Sequence, residues 1–135
     1  MNKKFLITGI ACTLVAFVLS MVIHGLFMFE DYSKLPNLLR PQSEAQTLFH
    51  FMVLAHVSMG FAFAWIYRQG MTPGVSWVLQ GIRFGLAIAF LLTIPIYLIY
   101  YTIQPWPGMV VVKQIVFDVA VLIINGLVAA FINRE

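Results

Sequence analysis

"VVVKQIVFDVAVLIINGLVAAFI", residues 110–132, is apolar or small throughout except for Lys113, Gln114, Asp118 and Asn125. At 1.5 Å per residue a helix of this length crosses about 30 Å, the thickness of a bilayer's hydrocarbon core. The stretch lacks the period-two alternation of a barrel strand, and in lipid the backbone must satisfy its own hydrogen bonds. It therefore reads as a transmembrane helix carrying a carboxylate near its middle.

Working outward, three more runs of the same kind precede it. The predicted helices cover residues 5–28, 44–68, 73–103 and 110–132. Across the 135 residues, 61% are hydrophobic and 10% charged, against roughly 25% charged in soluble domains. The fold class expected is all-α integral membrane: four transmembrane helices in an up-down bundle forming one domain, residues 1–135, with no room for a soluble domain. Lys3 and Lys4 ahead of the first run resemble the start of a signal peptide. That run is too long for a signal and ends without a small-x-small site, so it is expected to be retained.

Basic residues set the expected orientation. With the N-terminus inside, Lys3, Lys4, Arg68, Arg83 and Arg134 face the cytoplasm, against Lys34, Arg40 and Lys113 outside, which puts both termini in the cytoplasm. The net charge of +3 is dispersed, with no basic patch, so nucleic acid is not an expected partner. The expected partners are the lipid bilayer and another membrane protein or a second copy. Cys12 stands alone in the first run and reads as a small packing residue.

Punctuation places the helix ends. Ser43 with Gln46 reads as a capping box opening the second helix, and Arg68 with Gly70 as its end. Thr72–Pro73 reads as the N-cap and first position of the third helix. Pro95, inside that helix, is expected to bend it, and the segment 104–108 ("QPWPG") is a tight turn into the fourth. Leu35, Leu38 and Leu39, in the one long connection, are expected at the membrane surface. Glu30 and Asp31 read as solvated acids partnered by Lys34 or Arg40. Setting the second run on the fourth pairs Gly60 with Gly126, Ala64 with Ala130 and Arg68 with Arg134, the pattern a duplicated helix hairpin would leave.

Helices in lipid pack closely through small residues repeated at helical spacing. Gly81, Gly85 and Ala89 form such a stripe on the third helix, His56, Gly60 and Ala64 on the second, and Gly126 belongs to the fourth. On the first, Gly9, Thr13, Ala16, Ser20 and His24 share one face, so His24 is expected to point inward. Depth along each run places His56 near the midplane, Asp118 and Tyr97 about 5 Å further out, and His24 about 10 to 12 Å out. A carboxylate at such depth costs ~2.5–3.5 kcal/mol unless it is paired. The expected site is a polar pocket open to the outer side, formed by His24, Tyr97, Gln114, His56 and Asp118, with His56 and Asp118 paired as its floor; the structural alternative is an Asp118 that is neutral, or accepts hydrogen bonds from Tyr97 or His56, and fixes helix packing.

Haem would need two imidazoles at one depth. Only His24 and His50 share one, and His50 is rotated off the packing face. No cofactor and no metal are expected, and no nucleophile or phosphate-loop motif is present. The segments "HGLFMFEDY", "LLRPQSE", "AWIYRQG" and "QGIRFGL" resemble those of small four-helix bacterial inner-membrane proteins of unknown function. The resemblance implies a multi-pass inner-membrane location and brings no activity with it. The leading functional expectation is an accessory or interaction subunit of a membrane complex that is not an enzyme. The alternative is a small carrier or channel using His56 and Asp118, and a haem- or quinone-binding redox subunit stands third.

Overall fold

The computed structural model describes residues 3–134; Met1, Asn2 and Glu135 lie outside the described residues. Among the described residues every regular element is helical. Four helices are long and apolar enough to cross a membrane: Lys3–Phe27, Phe49–Gln69, Trp77–Ile103 and Gly108–Asn133, the first to fourth spans. By length and composition the chain is a multi-pass membrane protein. Lys4 Nζ donates to the Arg134 carbonyl at 3.4 Å, so the first and fourth spans bring their chain ends together at one end of the molecule, here the terminal end. The opposite end, where Met28 and Val110 meet, is the distal end.

Two helix starts differ from the sequence expectation, each for a local reason. The second span begins at Phe49 because Gln42–Thr47 is a separate short helix. Pro41, with φ −52° and ψ 144°, occupies its N-cap position and no side chain caps it, so Ser43 falls inside the first turn and forms no capping box. Arg40 and Glu44 pair along this helix at 3.6 Å. The third span begins at Trp77, capped by Ser76, whose hydroxyl accepts from the Leu79 N–H at 3.3 Å. Thr72–Pro73 cannot open it, because Gly74 has φ +78°, a left-handed conformation that turns the chain out of any helix started there. Gln80 holds this turn by bonding the Thr72 N–H and the Thr72 and Val75 carbonyls.

Proline acts on the third span through a wider turn. Pro95 lacks an N–H and its ring crowds the carbonyl four residues back. The preceding Ala89–Thr93 segment is a π-helical turn, and α-helix resumes over Ile94–Ile103 with Pro95 in its first turn. The extra residue of the π turn leaves room for the ring. A second π turn, Ile23–Phe27, closes the first span and contains His24.

The first span packs against the second and the fourth, and the third packs against the fourth. The second and third meet through the rings of Phe63, Tyr67 and Phe84, with centroids 4.6 and 5.2 Å apart. Small residues permit the closest approaches. A Cβ added at Gly85 would lie 2.5 Å from the Leu122 carbonyl oxygen and 2.6 Å from the Ile123 Cα, and one at Gly81 would lie 2.8 Å from the Gly126 carbonyl. Gly126 in turn meets Gly81, and Gly60 meets Thr13 of the first span. Gly60 and Gly126 thus stand at equivalent places, each against the span that precedes its own, and Ala64 and Ala130 are both fully buried.

Two apolar clusters form the interior. Cys12, Phe63, Tyr67, Ile88, Ala129 and Ala130 fill the terminal half. Ala16, Ile23, Met28, Val110 and Val121 fill the distal half, where Leu35 of the long connection packs against them with Tyr32 and Trp106. Leu35, partly buried, therefore folds back onto the core.

Candidate functional site

Polar side chains converge at the distal end on Asp118. Tyr97, two residues after Pro95 in the third span, donates its hydroxyl to Asp118 Oδ2 at 2.5 Å. His24, in the π turn of the first span, places Nε2 3.4 Å from Asp118 Oδ1. Gln114 stands one turn from Asp118 on the same face of the fourth span.

Tyr32 completes the group. Met28, fully buried, anchors the corner after the first span, and the short helix Phe29–Ser33 then carries Tyr32 back over His24. The Tyr32 hydroxyl and His24 Nδ1 are 2.6 Å apart, Gln114 Nε2 donates to the same hydroxyl at 3.1 Å, and the two ring planes lie within 7° of each other. Trp106, from the turn between the third and fourth spans, meets the Tyr32 ring at 70°. Lys113 clamps the connection from above by bonding Asp31 at 2.7 Å.

The direction of these bonds follows the His24 tautomer. A neutral imidazole carrying its hydrogen on Nε2 accepts at Nδ1, so Tyr32 donates to His24 and His24 faces Asp118 with an N–H. Protonation makes both ring nitrogens donors and frees the Tyr32 hydrogen to turn elsewhere. Burial raises the Tyr32 hydroxyl above its ordinary pKa, so it is protonated at neutral pH and can act in either direction.

Beside this network lies a cleft of about 370 Å³. Its lining includes His24, Tyr32, Gln114, Tyr97, Tyr100, Gln104 and Trp106. Asp118 is absent from the lining; it stands behind His24 and Tyr97 and holds both.

His24, Tyr97, Gln114 and Asp118 therefore come together, and His56 does not join them. His56 is 8% exposed, its Nδ1 bonds the Met52 carbonyl at 2.8 Å and its ring abuts Phe17. The expected His56–Asp118 pair is replaced by His24–Asp118 and Tyr97–Asp118. Depth alone suggested the first pairing, but the second span turns its small face to the first span, and residues 41–55 leading into His56 are all exposed. His50 is exposed, with its ring against Phe51.

The acids after the first span divide. Glu30 bonds Lys34 at 2.8 Å, and the Lys34 ammonium holds its carboxyl below the usual range. Asp31 instead reaches across to Lys113, a partner that no local spacing indicates. Sequence reasoning also missed Tyr32. Eight residues from His24, it lies off that helical face on an unbroken helix, and only the corner at Met28 brings it back. Among the described residues no three His, Cys, Asp or Glu side chains form a metal-sized group. Comparison with protein-family models, with curated proteins and with solved structures finds no match.

Proposed function

We propose that the protein is an accessory or interaction subunit of the bacterial inner membrane, folded as an up-down bundle with both termini in the cytoplasm. Its distal, outward cleft receives a small ligand and does not pass one across. The excess of basic residues at the terminal end supports the orientation, and the motif resemblance to small four-helix inner-membrane proteins supports the location.

The observation that carries the reading is that the cleft is blind. Below Asp118 the fourth span continues through Val121, and the surrounding positions are Ala16, Cys12, Ile88 and Phe63, all buried and without charge. Asn125 lies in this layer, 3% exposed, with its Oδ1 lacking a hydrogen-bond partner among the described residues. A route for ions or solutes through a membrane is lined by paired ionisable groups or water-accessible polar surface. His56, the second residue a carrier would have used, is bonded to its own helix.

Reconstitution tests this directly. Vesicles containing the protein should show no proton or metabolite flux above protein-free vesicles, and cross-linking in native membranes should capture a second membrane protein or a second copy. Specific flux would overturn the accessory reading. A reporter fused to the C-terminus should be active in the cytoplasm; periplasmic activity would contradict the orientation.

A further inference from the structure

We infer that the distal cleft binds the uncharged ring of a lipid-soluble quinone. This deepens the reading above and rests on the cleft being a ligand site.

Charge is the first discriminator. None of the side chains lining the cleft is Asp, Glu, Lys or Arg. The nearest carboxylate, Asp118, is set back and already engaged by Tyr97 and His24, while Asp31 and Lys113 neutralise one another at 2.7 Å. A cationic or anionic head would lose its hydration and meet no free counter-charge in a low-dielectric site. An uncharged head avoids that loss.

The walls supply the second. Tyr97, Tyr100 and Trp106 present rings to the cleft, and aromatic rings pack well against another flat ring through offset or edge contacts. The volume of about 370 Å³ lies in the lower part of the roughly 300–1,000 Å³ range of small-molecule sites, enough for a single substituted ring.

Polar groups supply the third. Gln104 uses its Oε1 to accept from Trp106 Nε1 at 2.7 Å, which leaves its amide NH₂ to donate into the cleft. Gln114, whose amide has one hydrogen beyond the one it gives Tyr32, offers a second donor from the lining. Two amide donors in one lining, from Gln104 and Gln114, suit a ring that carries two carbonyl oxygens, as a quinone does. An apolar tail has a way out, because Ile96, Ile99 and Ile103 on the adjoining face of the third span are 44%, 58% and 67% exposed. Binding alone is inferred here, with no electron transfer.

Trp106 provides the probe. In a Trp65→Phe, Trp77→Phe background it is the one remaining tryptophan, and a quinone in the cleft should quench it. The protein in lipid nanodiscs would be titrated with decylubiquinone. Saturable quenching is expected, with Tyr100→Ala and Gln114→Leu each raising the half-saturation concentration about tenfold, and with decyl maltoside, which shares the tail length and lacks the ring, failing to compete. Linear quenching like that of a free tryptophan analogue, equal competition by decyl maltoside, or saturation unchanged in both variants would overturn the inference. Should the double Trp substitution prevent folding, an azidoquinone photolabel on the unaltered protein should mark cleft residues; label spread over the lipid-facing surface would overturn it equally. Absent quinone binding together with absent flux would remove the ligand class and leave the accessory reading intact, whereas flux would remove that reading whatever the quinone does.

Discussion

The two ends of this molecule are built from nearly the same residue types and use them oppositely. At the terminal end glycine meets backbone, as Gly81, Gly85 and Gly126 bring the third and fourth spans together, and Asn133 donates to Thr8 at 2.8 Å with both residues buried, although a cleft of about 350 Å³ opens beside Tyr67, Thr72, Gln80 and Asn133. At the distal end Gly25 has nothing within 4 Å of a Cβ placed on it and Gly108 meets only the Tyr101 side chain, and one π turn closes the first span while another interrupts the third. There the polar atoms surround a cleft. Close packing in lipid needs small residues aligned at helical spacing, and a π turn breaks that spacing while re-aiming side chains. The terminal end holds the spans together, and the distal end holds a site.

The sharpest way to break this contrast is to enlarge a terminal glycine. In Gly85→Leu the new side chain would meet the Leu122 carbonyl and the Ile123 backbone, neither of which can swing aside, so the two spans must separate. The expected loss is about 3 kcal/mol, read as a lowered unfolding midpoint in detergent. Unchanged stability would mean that the third and fourth spans do not pack as described.

Within the distal network the expected effects are smaller. Tyr97→Phe keeps the ring and removes the hydroxyl that Asp118 accepts, and should cost about 1 to 2 kcal/mol. Equal stability would show Asp118 satisfied without Tyr97. Gly25→Ala should stay within about 0.5 kcal/mol of the parent, and a loss as large as that of Gly85→Leu would erase the difference between the two ends. Smallest of all is the exposed Glu30–Lys34 pair. Because Lys34 lowers the folded pKa of Glu30, its contribution is present at neutral pH and disappears as the pH falls through that lowered value. At such exposure the effect is screened, so Lys34→Ala should leave the unfolding midpoint unchanged at both neutral and acidic pH.

How much of this was legible in the sequence follows from what each feature depends on. Helix existence depends on run length and apolarity, which are local, and the expected runs 5–28 and 110–132 lie close to Lys3–Phe27 and Gly108–Asn133. The inward stripes of small residues were legible for the same reason, since helical spacing alone puts Gly81 and Gly85 on one face. Helix starts were harder. Thr72–Pro73 and Ser76 are both acceptable caps, and the left-handed backbone at Gly74 decides between them. Depth left Tyr97 and His56 both open as partners of Asp118. Depth gives height along a span and leaves open which neighbour stands there, and His56 faces the first span while Tyr97 and His24 face Asp118. Tyr32 and the Asp31–Lys113 pair depend on how the long connection folds back, a tertiary event with no periodic signature.

A double-mutant cycle on His24 and Asp118 tests the central claim, that the distal end is organised around Asp118 as held by His24 and Tyr97, most directly. With each residue changed to leucine singly and together, unfolding in detergent should give a coupling of about 0.5 to 1.5 kcal/mol, while the matching cycle on His56 and Asp118 should be additive within about 0.5 kcal/mol. Additivity between His24 and Asp118 with coupling between His56 and Asp118 would contradict the account and return the floor of the pocket to the second span.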